Sequence, residues 1–404
     1  MFSFKKFILT EGFDRENPEK IHGMPRVLHQ FLGHLSSPVG THHNRSITEE
    51  QLDEVTLFAG NSKLDSRKLP KTSFIIDKGH EDLPEGNLHK NIHQGFYKAF
   101  SEMKTETPEI TLKKARASRK VYEDFARSRG FKGGGGSLLI ENGKTMKSTG
   151  EGVHTKGLSL APHSANGLKG FDVCPRASTE CRANCLGTEA GGNRQYPDAA
   201  LASKVLKTHF IAHHPEHAAR LLDHEIGRHV AHAEKAGYKA GVRLNVTSDL
   251  PYEKYAPHLF ERHPTAQFYD YTKMHQRVMN QSKDDHPVNY HLSLSHTGTS
   301  HPESNDQHAV KALEAGHVVA MVYQRGKHIP SPKHVEDMKT GNKYPIANGD
   351  DDDNTFDRHA TTGLVDRKKG HGVVSGLKLK GVKNEDAGHF ANPVDPDGVI
   401  RINR

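Results

Sequence analysis

The chain has 404 residues, 34% of them hydrophobic, with three cysteines, no tryptophan and a formal net charge of +7 with its 31 histidines taken as neutral. That length allows one large domain or two ordinary ones, and no apolar run approaches the ~20 residues that a membrane-spanning helix requires. An odd number of cysteines confined to one stretch excludes a disulfide scaffold, and the basic balance favours polyanionic partners, nucleic acid first among them.

The opening MFSFKKFILTEGF reads as a short amphipathic helix and not as a signal peptide, since a long apolar stretch and a small-residue cleavage site are lacking. Residues 1–130 as a whole read as a polar, irregular, partly helical region. Its best helix is TPEITLKKARASRKVYEDFARSRG, with Thr107 as N-cap, Pro108 at the first helical position, Glu109 at the positive end of the dipole and Gly130 as the stop. Lys113, Lys114, Arg116, Arg119, Lys120, Arg127 and Arg129 make residues 109–129 a basic helix. Such a helix suits a phosphate backbone, and it equally suits a solvated surface. Gly133 to Gly136 then break the chain, because consecutive glycines carry a large ordering entropy. A second domain is expected over 131–404.

Beyond the glycines, LLIENGKTMKST predicts two short strands around an Asn142-Gly143 turn. Its GKT is not a phosphate loop, because six residues rather than four separate Gly136 from Gly143. Strands and helices then alternate. Expected are a strand at 156–162, a helix from Asp198 to His213 and another from Glu216 to Ala236, with Leu222, Ile226, Val230 and Ala233 on one face and Gly237 as its stop. Strands follow at 242–246, 267–272, 289–295, 317–323, 344–348 and 372–381, separated by helical stretches near Met274 to Gln281 and around Ala309 and Leu313. Short apolar strands between helices predict an α/β fold with a mostly buried parallel sheet, either doubly wound or an open or closed barrel.

In parallel α/β folds ligands bind beyond the carboxyl ends of the strands. The expected ends here are polar: Thr247, Ser248 and Asp249; Tyr271 and Lys273; Ser293, Ser295 and His296; Gln324 and Arg325; Asn348, Gly349 and Asp350. The stretch CPRASTECRANCLG, carrying Cys174, Cys181 and Cys185, follows the first of the alternating strands, which places it at the same mouth. Clustered thiolates bind zinc or iron–sulfur clusters. Three ligands leave one coordination position open for chemistry, whereas a structural zinc needs a fourth, for which His163, His154 and His209 are candidates. The gaps of six and three residues favour neither metal. The HxxEH string at His213–His217 is set aside because Pro215 interrupts the helix that chemistry needs, and the HxE at His214–Glu216 because no PCxxC follows it. The acidic run from Asp350 to Asp353 reads as a solvated loop.

The cysteine stretch resembles the signature of the phage gene-product-88 family. RLNVTSDL, FYDYTK and GVVSGLKLKG resemble that family's later segments in the same order, so the likeness spans about residues 145–392. The family is distantly similar to radical S-adenosylmethionine proteins. The resemblance implies a partial (β/α) barrel of parallel strands, a [4Fe-4S] cluster on Cys174, Cys181 and Cys185, and a location in the reducing cytoplasm of a host. It also implies S-adenosylmethionine as cofactor, although Leu186 stands where an aromatic residue is usual. On this view Asp249, Tyr271 and Lys273 are the catalytic candidates, and Thr247, Ser293 and Ser295 line the cofactor site. The alternative is a zinc-stapled protein that binds nucleic acid through the basic helix 109–129 and carries out no radical chemistry.

Overall fold

A computed structural model describes residues 70–403 apart from 82, 85, 142–144, 146–148, 150–151, 186, 188–196, 300–302, 351–371 and 381–383. The expected opening helix, the Asn142-Gly143 turn and Asp351 to Asp353 lie outside the described residues. Those that are described belong to one compact unit, Leu69–Arg404.

Three helices precede the sheet: α1 (Thr72–Gly79), α2 (Leu88–Met103) and α3 (Pro108–Ser128). Of the region expected to be polar and partly helical up to residue 130, the described part from residue 70 onward is mostly helical. Leu88, Ile92, Phe96, Ala99, Phe100 and Met103 recur at helical spacing along α2 and are buried, and Asn87 caps the helix by accepting from the Lys90 N–H. Helix α3 keeps its expected limits, with Thr107 accepting from the Ile110 N–H. Both α2 and α3 pack on the later helix α6 (Pro215–Lys235). Their apolar faces join the same core cluster as the sheet.

The glycine run does not divide the core. A Cβ on Gly135 would stand 2.9 Å from Ala126 Cβ and 3.0 Å from Leu206 Cδ2, and its φ is +79°. Tyr122 donates to the Gly135 carbonyl at 3.1 Å and Arg119 to the Gly136 carbonyl at 2.7 Å. Glycine is required there by close approach and by a left-handed backbone, so the run is a packed turn.

The sheet has ten strands, β1 (Leu139–Ile140), β2 (Val153–Leu158), β3 (Lys239–Arg243), β4 (Gln267–Thr272), β5 (Tyr290–Ser295), β6 (Val318–Tyr323), β7 (His334–Asp337), β8 (Lys343–Asn348), β9 (Val373–Lys378) and β10 (Val399–Ile402), in the order β1-β2-β3-β4-β5-β6-β9-β8-β7-β10. The pairs from β2 to β6, then β6–β9 and β9–β8, are parallel; β1–β2 and β7–β8 are antiparallel. The sheet is mostly parallel and not closed. A doubly wound sheet reverses its order partway, and β2 to β6 run in sequence without reversal. Successive right-handed crossovers between sequential strands leave their helices on one face. Helix α6 lies against β3, α9 (His275–Met279) against β5 and α10 (Asp306–Glu314) against β6.

The elements expected from 197 onward fall close to their places, with α5 over Pro197–His213, whereas the strands β7 and β10 were not expected. One strand moves: pairing ends at Arg243, so Leu244 to Val246 lie beyond the strand expected at 242–246. The partner expected for the 139–140 strand also differs, since β1 pairs with β2 through Leu139↔Leu158.

Candidate functional site

The thiol loop first closes on itself. Asp172 accepts from the Cys174 N–H at 2.7 Å and from Arg182 Nη2 at 2.7 Å, while Arg182 Nε donates to the Ala177 carbonyl at 3.2 Å. Ser178 accepts from the Cys181 N–H at 3.1 Å and caps α4 (Thr179–Ala183). The loop is then tied across the carboxyl end of the sheet. Beyond β3, the Asp249 N–H donates to the Val173 carbonyl at 2.7 Å and Cys174 Sγ lies 3.7 Å from the Thr247 carbonyl. Beyond β5, Glu303 accepts from the Thr179 N–H at 2.8 Å. Beyond β9, Glu180 accepts from the His389 N–H at 3.1 Å and Asn184 donates to the Ala387 carbonyl at 3.4 Å. Loops after three different strands therefore hold the cysteine stretch over the mouth of the sheet.

None of the three cysteines forms a disulfide, and all three are half-buried. Burial pushes the Cys174 thiol well above its ordinary value, the His163 backbone beside it pulls it down, and Cys185, Asp249 and Cys181 push it up again. Cys185 and Cys181 thus lie within electrostatic reach of Cys174. Among the described residues no three His, Cys, Asp or Glu side chains stand together as a metal-binding group. Two lysines flank the trio. Lys204, on α5, donates to the Gly187 carbonyl at 2.7 Å; burial lowers its ammonium and nearby Cys185 raises it. Lys273 donates to the His296 carbonyl at 2.7 Å; burial lowers it too, while Cys181 and Asp249 raise it. Positive charge beside a thiol favours the thiolate, the form that binds metal.

The expected site residues are brought together unevenly. Asp249 is 5% exposed and is held by Arg277, whose Nη1 is 2.5 Å from Oδ1. Its Oδ2 accepts from the Lys273 N–H at 2.9 Å. Arg277 also grips Glu253 through two contacts of 2.8 Å and donates to Tyr290 at 3.2 Å. Asp249, Lys273 and His296 thus join the ends of β3, β4 and β5 beside the thiols. Asp249 acts there as a buried partner of Arg277 and a positioner of Lys273. Thr247 donates to the Leu160 carbonyl at 2.6 Å and presents its own carbonyl to Cys174. Tyr271 is half-buried beneath the Arg243 guanidinium, whose carbon lies 4.7 Å from the ring centroid, and it pairs in register with Ser293. The Ser295 carbonyl accepts from Asn305 at 3.1 Å.

The other polar strand ends turn elsewhere. Gln324 donates its N–H to the Asn392 carbonyl, and Arg325 donates its own to Asn384 at 3.1 Å. Asp350 is paired with Lys380 at 2.6 Å. Of the three candidate fourth ligands, His154 meets Glu141 at 3.0 Å and His209 meets the Asn166 carbonyl at 2.7 Å. His163 is the one whose backbone lies against Cys174. Lys204, Arg243 and Arg277 were not among the residues expected from sequence. Only Arg243 carries a local signal, a cation ending a strand whose preceding residues Ala240 to Val242 are apolar.

Residues 136–392 match the family model described as Gene product 88. No curated protein and no solved structure matches the chain.

Proposed function

This chain belongs to the Gene product 88 family, and from that premise we propose that Cys174, Cys181 and Cys185 hold an inorganic centre with an open position, a [4Fe-4S] cluster, at the mouth of a partial barrel. The supporting observation is the lacing of the thiol loop to segments after β3, β5 and β9, which brings the three thiols over the carboxyl end of a parallel sheet. The sequential parallel order of β2 to β6 is the order a partial barrel has.

The donor set suits the group. Burial, with Cys185 and Cys181 nearby, raises the Cys174 thiol, and a bound cationic metal would oppose that rise. Lys204 and Lys273 offset the remaining negative charge. When bound, such a cluster supplies one-electron chemistry, with S-adenosylmethionine as the co-reactant that the family resemblance implies. The chain's own role is to bind and orient: Arg277 holds Asp249, Asp249 fixes the Lys273 backbone, and Tyr271 and Ser293 face the space where a substrate would lie. Thr247 and Ser295 shape the rim through their carbonyls.

Purification without oxygen tests this. We expect about four iron and four sulfide per chain with visible absorbance, all lost on replacing Cys174, Cys181 and Cys185 by alanine. Stoichiometric zinc in a colourless sample would favour the second reading, a zinc staple completed by His163 in a protein that binds nucleic acid. That reading is supported by Lys113, Arg116 and Lys120, exposed on one stripe of α3, while Lys114, Arg119 and Arg127 are committed to Glu106, Glu225 and Glu123.

A further inference from the structure

We infer that the ring-bearing face of α2 is a docking surface for single-stranded nucleic acid, on which His93 and Tyr97 stack against bases while Lys90 and Lys254 meet the phosphates. The surface does not depend on what the thiols hold, and it differs from the basic stripe of α3.

His89, His93 and Tyr97 recur at four-residue intervals along α2, so they form one line of rings over about 12 Å of the helix axis. Two short helices, α7 (Tyr252–Tyr255) and α8 (Pro257–Arg262), complete it. The His93 ring stacks on Tyr255, with centroids 5.4 Å apart and planes at 19°. Tyr97 stands between His93 and His258, with centroids at 6.3 and 6.2 Å. His89 lies 4.9 Å from the Phe171 ring, and its Nδ1 is 3.2 Å from the Tyr255 hydroxyl. Phe171 precedes Asp172, which accepts from the Cys174 N–H, so one end of the line adjoins the thiol loop.

The outer two rings of the line do little for the fold. Tyr97 is 50% exposed, His93 is exposed too, and neither side chain makes a hydrogen bond among the described residues. A tyrosine stabilises a fold by burying its ring or by bonding its hydroxyl; Tyr97 is only half covered and does not do the second. Its ring neighbours nevertheless restrict it, which lowers the ordering cost of stacking a ligand. Every base has a π-face to offer such rings. The charge is complementary. Lys90, one turn before His93, and Lys254, next to Tyr255 in the chain, are exposed, and neither forms an ion pair among the described residues. The carboxylates nearby are already met: Glu261 by His258 at 3.1 Å and Lys104 at 3.6 Å, and Glu216 by Lys98 at 2.8 Å. Unpaired cations beside exposed rings bind a single strand without reading its sequence. A duplex keeps its bases stacked inside, out of reach of rings on a helix face. A protein partner is met by a contiguous apolar patch, which polar rings and lysines do not make.

Fluorescence anisotropy of labelled oligothymidylate and oligouridylate, each of about 15 nucleotides, tests this on the full chain. The wild-type protein should bind at least one of them, and the tighter of the two identifies DNA or RNA as the natural strand. Tyr97→Ala and His93→Ala should each weaken binding about five- to a hundredfold, and Tyr97→Phe should stay within about twofold of the wild type, because a phenyl ring still stacks. Lys90→Ala together with Lys254→Ala should make the slope of log affinity against log salt shallower by about 1.4. These positions are exposed, so the variants should fold, and circular dichroism checks that they do. Binding should be the same whether or not the purified protein carries iron, which separates this inference from the metal reading. No binding of either strand, equal binding by folded Tyr97→Ala and wild type, or a loss confined to Lys113→Ala/Arg116→Ala/Lys120→Ala would overturn the proposal.

Discussion

Replacing Arg277 by methionine should unsettle the floor beneath the thiols. Its guanidinium is buried and contacts Asp249 at 2.5 Å, Glu253 twice at 2.8 Å and the Tyr290 hydroxyl at 3.2 Å. Methionine fills much of the volume but leaves two carboxylates without their cation. Removing one partner of a buried pair costs about 3–5 kcal/mol, because the remaining charge is stranded in a poorly solvated site. Burial already raises the Asp249 carboxyl above its usual range, and Arg277 is the largest influence pulling it back. Without Arg277 the carboxyl should rise further. A carboxyl whose folded-state pKa exceeds its unfolded value binds protons more tightly in the native protein, so stability falls as pH rises. The Arg277→Met loss should therefore be largest near pH 7.5 and shrink toward pH 5. Asp249→Asn combined with Arg277→Met should cost less than the sum of the two single changes, by about 1–3 kcal/mol. Equilibrium urea unfolding followed by circular dichroism at several pH values measures all of this. A loss under 1 kcal/mol at pH 7.5, or one that does not change with pH, would refute the assignment of Arg277 as the neutralising partner.

Burial holds His209 and His229 near pKa values of about 4. Each is then neutral in the native state and takes up a proton on unfolding below about pH 6.5, so stability is complete above that pH and is lost as pH falls toward 4, by up to about 3 kcal/mol for each ring. Asp270, raised by burial to about 6, acts in the opposite sense over the same range. His209→Asn should flatten the pH dependence by up to one proton, read from unfolding free energy against pH; an unchanged slope between pH 6 and 4.5 would contradict the assignment. Gly237 ends α6 with a φ of +79° and nothing within 4 Å of an added Cβ. Gly237→Ala should therefore cost about 1–2 kcal/mol through backbone strain alone, visible as a lower urea midpoint with unchanged slope.

Local patterns in the sequence determined much of this protein. The 3.6-residue spacing of Leu222, Ile226, Val230 and Ala233, the cap at Thr107, the stop at Gly237 and the apolar strands from 267 onward each depend on residues close in the chain, and each is found near its expected place. Spacing alone also put the cysteine stretch after the first parallel strand, and so at the sheet's carboxyl end. Helix α2 was legible in principle, but its His, Gln and Gly residues diluted the apolar period. Gly95 there is explained only by Pro215, whose Cγ would lie 2.5 Å from an added Cβ. Tertiary structure decided the rest. Strand register, a long-range property, turned Arg243 toward Tyr271 and Ser293. Packing turned the glycine run into a turn against Leu206 and bound Asp249 to Arg277, 28 residues away. Charge and close contact act through space, and their partners were brought together only when the β3, β4 and β5 crossovers folded back on one another.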